Sequence, residues 1–415
     1  MSFQSLPIRR SSFVEKLTFA HWTLLAYPVF MAIVARRRDV DDVFTIDPSA
    51  VMQIGFVGML GFFCTVRLIN HGRALLRILF TGPTAWMTTY VLLAAASAAW
   101  STRADFTLYR AFEMMVFLLV AVEAVNRFAD VKDVVRFQLL YAFLVAIVWH
   151  FGDLRYQLSL EILHNSLVTG TNIGILVIFV GAAISGRSWW SAFLVVVLSF
   201  LVGTSSASYV SLLFAVGCLL MFHSGAQRVV GAFLASTAGV VIWGYGLDWG
   251  SLVFWGKNEY AISSASGRVP VWQWLLDSVV SHRPLLGYGF GVGENIARVA
   301  MDWAGLRMMH MHNAAMSAVV NLGAVGVVVF MLFVGSVLIS LWKIRSAATF
   351  PYAFASFVAV LLNSLSMSSV TAPVSLGWVG HMLLYLYLVR LTSVAERRKA
   401  LPRRLVTKAA PAVAA

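Results

Sequence analysis

Two side chains in one stretch of this chain are suited to work on a phosphate ester: Arg268, between Gly267 and Val269-Pro270, and His312, directly before Asn313. A guanidinium offers two parallel donors to a phosphate or pyrophosphate, a fork that a flexible lysine does not match. Arg268 precedes a helix with Pro270 in its first position, where free backbone N–H groups attract anions. A phospholipid headgroup reached by snorkelling is the competing partner for the same side chain. A neutral imidazole at His312 can take a proton from a sugar hydroxyl while arginines stabilise the departing phosphate, chemistry that needs no metal. For one isolated histidine the plainer alternative is an interfacial hydrogen bond to backbone.

Around this pair, Arg283 offers a second contact to a headgroup or pyrophosphate, and His310 a group that orients its neighbour. Asn313 is placed to cap the helix that follows and to share the site. A metal held by His310, His312 and Glu294 or Asp302 is disfavoured, because histidines at i and i+2 lie on different helix faces and no HExxH or Cys-His spacing is present. The run Gly287, Tyr288, Gly289, Phe290, Gly291, Val292, Gly293 mimics a dinucleotide fingerprint but lacks the parallel sheet that such a fingerprint needs. Alternating glycines predict instead a sharply turning loop whose backbone comes close to another surface.

Upstream, Arg110 and Glu113 stand three residues apart at the start of an apolar run and are expected to pair, as are Glu123 and Arg127. Arg155, Glu161 and His164 have no spacing that demands a role. His150 and His381 read as packing or hydrogen-bonding residues. Cys64 and Cys218 fall in apolar runs and pack as small hydrophobes, with no zinc or redox motif.

The elements that must position these residues follow from composition. Of 415 residues 60% are hydrophobic and 12% charged, about half the charged share of a soluble domain, which excludes a soluble globular enzyme. Apolar runs of about 17–25 residues match a bilayer core of about 30 Å. They begin near Phe19, Ala50, Thr84, Arg110, Phe137, Ser166, Trp190, Ser208, Val229, Ala314, Phe350 and Val374. The expected fold is an all-α polytopic membrane protein of about twelve spans. An amino-terminal bundle would occupy 1–246, one large outer loop 247–313, carboxy-terminal helices 314–391, and a basic, disordered tail 392–415.

Within the loop, Val271, Trp272, Trp274, Leu275, Leu276, Val279 and Val280 leave Gln273, Asp277 and Ser278 as a narrow polar side, as in a helix lying along the interface. The net charge of +13 fits basic cytoplasmic loops and anionic lipid partners better than nucleic acid. The basic runs Arg67 to Arg77, Arg127 to Arg136 and Lys343 to Arg345, and the tail from Arg397, place both termini in the cytoplasm. Arg36 to Arg38 run against this, partly offset by Asp39, Asp41 and Asp42.

Several elements in order carry a family resemblance: Ser266, Gly267, Arg268 with Trp272 four residues on; the Pro284, Leu285, Leu286, Gly287, Tyr288, Gly289, Phe290, Gly291 run; His312 with Asn313; and Asn321, Leu322, Gly323, Ala324, Val325, Gly326. With Trp100, Ser101 and Leu108, Tyr109, Arg110, Ala111 upstream, the chain resembles the O-antigen ligase and polymerase (Wzy/WaaL) superfamily, most closely its exopolysaccharide polymerase (ExoQ-like) branch. The resemblance implies a GT-C-like membrane glycosyltransferase at the periplasmic face of a bacterial inner membrane. Its donor would be a glycan on undecaprenyl pyrophosphate and its acceptor a second glycan, with no metal or cofactor, and with membrane lipids and a chain-length regulator as further partners.

By the same resemblance Arg268 would bind pyrophosphate and His312 would act at the acceptor hydroxyl or the reacting centre. Ser206 falls where the family has a serine followed by Arg or Lys. Here the run is Thr204, Ser205, Ser206, Ala207, Ser208, so either another arginine, such as Arg283, Arg298 or Arg307, supplies the second phosphate contact, or the donor geometry is altered or the activity lost. A polymerase of lipid-linked repeats is the leading expectation, and a ligase moving finished glycan to lipid A core or protein uses the same donor. A flippase of lipid-linked sugar would carry ionisable residues in mid-span, whereas here polar residues concentrate in the outer loop.

Overall fold

The computed structural model describes residues 14–34, 46–128, 268–303, 313–347, 349–365 and 370–400, with scattered positions at 133–144 and 211–222. Their regular structure is helical, without a strand: α1 (Phe19–Val34), α2 (Pro48–Leu79), α3 (Gly82–Ala96), α4 (Ala104–Arg127), α5 (Arg268–Ser278), α6 (Val292–Trp303), α7 (Ala314–Lys343), α8 (Phe350–Ser364) and α9 (Leu376–Ala400). By length and composition α2 and α7 are long and apolar enough to cross a membrane.

Helix α4 is the axis of the bundle. Its apolar residues from Met114 to Val125 are buried on almost every side, against α1, α2, α3 and α9. A helix apolar all round belongs in a core, and here the core also takes in Tyr27, Tyr90, Trp378 and Tyr385. Cys64 is buried in it and donates to the Val116 carbonyl, and Cys218 packs at its edge. His381, 3% exposed, has Nδ1 within 2.7 Å of the Gly377 carbonyl.

Helix α2 begins with Pro48 after Asp47, whose side chain accepts from Ala50 N at 2.6 Å. It then runs through the stretch from Arg67 to Arg77 that hydropathy reads as a cytoplasmic loop. The correction is physical: no residue there removes a helical hydrogen bond, so the helix continues past a bend at His71 (φ −135°, ψ 20°) and stops only at Phe80. Basic side chains at this end are tied inward. Arg67 Nε donates to Glu123 at 2.8 Å with Arg127 3.6 Å from the same oxygen, Lys16 meets Asp133 at 2.6 Å, and Arg390 donates to Asn126 at 3.4 Å.

At the other end α7 is broken at Gly323 (φ 65°, ψ −160°). That left-handed position is open to glycine and strained for other residues. The break matters because of what fills it.

Candidate functional site

The Pro284–Gly293 segment turns three times through positive φ, at Gly287 (63°), Gly289 (101°) and Gly291 (76°), and threads between the α3–α4 junction and the break in α7. It supplies the hydrogen bonds that the interrupted helix lacks. Tyr288 N donates to Val320 O (3.1 Å) and Gly289 N to Asn321 O (2.9 Å), while Ala324 N donates to Pro284 O (2.8 Å) and Val325 N to Leu285 O (3.3 Å). Orphan carbonyls above the break and orphan N–H groups below it are thereby paired. The expected close-approaching glycine loop is present: a Cβ at Gly287 would lie 2.6 Å from the Asn321 carbonyl carbon, and one at Gly289 2.5 Å from Ser101 Cβ.

On its other side the loop is held by the α3–α4 junction. Phe290 N donates to Ser97 Oγ (2.9 Å), Thr107 Oγ1 donates to Phe290 O (3.2 Å), and Trp100 Nε1 donates to Leu286 O (2.9 Å). Phe290 is fully buried edge-on to Tyr90. Asn321 Oδ1 then accepts from Gly291 N (3.1 Å) and Glu294 N (3.2 Å), capping α6 from a different helix. Its Nδ2 donates to Ser317 Oγ (3.4 Å), and Ser317 Oγ donates to Glu294 Oε1. Burial pushes the Glu294 carboxyl up, opposed by hydrogen bonds from Ser317 and Asn321 and by the Arg110 charge.

Arg110 lies beneath the same loop. Its Cγ would be 3.3 Å from a Cβ at Gly291, its guanidinium stacks over Phe106 (5.1 Å) and Tyr109 (5.5 Å), and it donates to Glu113 Oε2 at 2.9 Å. Glu113, with a fully buried side chain, also accepts from Gln53 Nε2 at 2.8 Å. Both expected pairs, Arg110–Glu113 and Glu123–Arg127, are therefore formed. Arg110 Nε has no hydrogen-bond partner among the described residues.

Of the residues expected in a site, Arg110, Arg283 and Asn313 are held by the elements that enclose this loop. Arg283 follows a short 3-10 turn (Val280–His282), donates to the Trp100 carbonyl at 3.2 Å and stacks over Tyr288 at 5.3 Å. Asn313 caps α7 as expected, its Oδ1 accepting from Ala315 N (2.8 Å) and Met316 N (3.1 Å). Asn313→Ala should lower stability by about 1 kcal/mol, whereas Asn313→Asp keeps the cap. Denaturant titration of both separates capping from ligand contact: activity lost in the Asp variant at normal stability would assign Asn313 to substrate.

Arg268 is partly buried, and desolvation lowers its pKa. It does not precede its helix: Arg268 is already helical in α5, with Pro270 two residues further on. Nor is the apolar side of α5 left to the interface. Val271 and Leu275, with Val279 and Val280, close over Ala297 of α6 and Met316 and Val320 of α7, and Trp272 and Trp274 pack at the edge. His310, His312 and Ser206 lie outside the described residues.

Sequence reasoning passed over α6 as an element, Ser317 and Asn321 as polar anchors, and Glu294 except as a metal ligand. The only local signal was a pair of polar residues one turn apart, Ser317 and Asn321, in a largely apolar helix that repeats the spacing at Ser336 and Ser340. Among the described residues no group of three His, Cys, Asp or Glu is close enough to hold a metal. No family model matches the chain, and no curated protein matches it.

Proposed function

We propose that this protein is a multi-pass bacterial inner-membrane glycosyltransferase that polymerises lipid-linked oligosaccharide repeats at the periplasmic face, with an undecaprenyl-pyrophosphate glycan as donor. The observation that carries this reading is the clasp of the glycine loop between the α3–α4 junction and the broken α7. It gathers Arg110, Arg283 and Glu294 at the end of the bundle where α7 begins at Asn313, next in sequence to His312. Cations for a pyrophosphate and polar groups for sugars thus share one rigid platform, which suits a reaction whose energy resides in the donor's sugar-pyrophosphate bond.

The outward sides of the two longest helices support the membrane setting: Met59, Phe62 and Ile69 on α2 and Val328, Met331 and Ile339 on α7 are exposed. Basic residues bound at the opposite end, Lys16, Arg67, Arg127, Arg136 and Arg390, suit a cytoplasmic side. In this reading Arg268 grips the pyrophosphate with Arg283 and Arg110 as further cations, and His312 acts at the acceptor hydroxyl or the reacting centre. The hydroxyl oxygen bonds to the anomeric carbon and gives up its proton, to the His312 imidazole where that residue acts at the hydroxyl, as the lipid pyrophosphate departs with the bonding electron pair.

Arg268→Ala and His312→Ala should each abolish polymer while leaving the protein level unchanged, read as a glycan ladder made by purified protein from lipid-linked repeats. Wild-type chain lengths in either variant would remove that residue from the assignment. Transfer only on addition of lipid A core or a protein would make the enzyme a ligase. Lipid-linked repeats confined to the inner leaflet of a deletion strain would make it a flippase.

A further inference from the structure

The polar network under the glycine loop has a fixed direction. Two backbone donors, Gly291 N and Glu294 N, meet the same side-chain atom of Asn321, so that atom is the amide oxygen and the amide nitrogen faces Ser317. Ser317 Oγ accepts from that nitrogen and directs its own proton to Glu294, whose carboxyl lies much closer than the alternative acceptor, the Thr371 carbonyl at 3.4 Å. The hydrogen bonds from Asn321 to Ser317 and from Ser317 to Glu294 are therefore both donated toward Glu294. The carboxylate ends the chain as an acceptor.

Its surroundings leave that acceptor capacity only partly used. A carboxylate has about four lone-pair positions. Among the described residues Glu294 forms no ion pair, while Glu113 is taken up by Arg110 and Gln53, and Asp105 by Arg103. Glu294 is also partly exposed, so the remaining positions can be reached.

We propose that Glu294 is a sugar-binding residue, its free carboxylate positions accepting hydrogen bonds from glycan hydroxyls. This rests on the glycosyltransferase reading and deepens it. Of the three parts of such a donor, the pyrophosphate brings negative charge and no proton to give, and the lipid chain has no polar hydrogen. Only the sugar offers O–H donors. The site is thus divided: arginines select the phosphates, and Glu294, held by Ser317 on a helix capped by Asn321, selects and orients a saccharide. As a positioning residue it fixes which hydroxyl meets the anomeric carbon.

The test uses the full chain in nanodiscs with two probes: lipid-linked repeats extracted from a strain lacking the protein, and the phosphate-free oligosaccharide released from them by mild acid. Glu294→Gln preserves volume and the bond from Ser317. It should weaken binding of whichever probe presents the sugar it holds about ten-fold or more, as loss of charge-assisted hydrogen bonds does. It should also raise KM more than it lowers kcat, with binding of inorganic pyrophosphate unchanged. If the loss is confined to the lipid-linked probe, the donor sugar is the one held; if it appears with the released oligosaccharide, the acceptor is.

Wild-type affinity for both probes in Glu294→Gln, with an unaltered ladder, overturns the proposal alone. A wild-type protein that makes no ladder and binds neither probe overturns the glycosyltransferase reading, and this proposal with it. Should the Gln variant fail to fold, Glu294→Asp keeps the charge and withdraws the oxygens, and the same loss of glycan binding is expected.

Discussion

Gly323→Ala yields little or no folded protein. A Cβ at this position would fall inside the Leu285 carbonyl, on backbone that cannot swing aside, and the left-handed φ of 65° is unfavourable for any residue with a side chain. The conformational term alone costs about 1–2 kcal/mol. Expelling the loop to relieve the clash breaks up to four backbone hydrogen bonds across the break, each worth about 1 kcal/mol net. Together these approach the roughly 5–15 kcal/mol that holds a typical domain together. The measurement is the amount of monodisperse protein recovered by size exclusion after detergent extraction. The control is Gly335→Ala in the same helix, where a Cβ meets nothing within 4 Å and the recovery should be normal. Wild-type recovery and activity of Gly323→Ala would mean that loop and helix are not interlocked.

Arg110→Met is expected to destabilise the protein by about 3–5 kcal/mol, the usual cost of leaving one member of a buried ion pair without the other. Glu113 has a fully buried side chain, and with Arg110 gone its one remaining donor among the described residues is Gln53. The double variant Arg110→Met with Glu113→Leu removes both charges and should recover most of the stability, since a buried pair contributes little over apolar residues of similar size. Activity separates the two roles open to Arg110. If it also contacts the pyrophosphate, the double variant is stable yet remains at least about ten-fold less active, the loss of one charged hydrogen bond. If activity returns with stability, Arg110 serves only to neutralise Glu113. A double variant as unstable as Arg110→Met would show that stacking on Phe106 and Tyr109, rather than charge, is what Arg110 supplies.

Much of this protein follows from residues close together in the chain. Helix ends at Asp47–Pro48 and Asn313, the Arg110–Glu113 and Glu123–Arg127 pairs and the tight turns of the glycine run all depend on neighbours within a few positions, and each forms as local rules dictate. Hydropathy located α1, α3, α8 and the start of α7 to within a few residues, because apolar composition and helical hydrogen bonding coincide there. The two measures part company at Arg67 to Arg77, where the chain becomes polar while the helix continues.

What only the tertiary structure decided is the interior of the site. Asn321 and Ser317 are, like Ser336 and Ser340, polar residues in a largely apolar helix until the loop from Pro284 to Gly293 lies across them, and Glu294 is one acid among several until Ser317 and Asn321 orient it. Gly323 gives no local sign of a break, since glycine is common in membrane helices, and its φ of 65° exists because a segment some thirty-five residues earlier supplies the missing hydrogen bonds. Periodicity and composition are properties of a window of neighbouring residues. A hydrogen bond between segments distant in the chain is a property of the fold, and its partners are chosen by geometry that no such window contains.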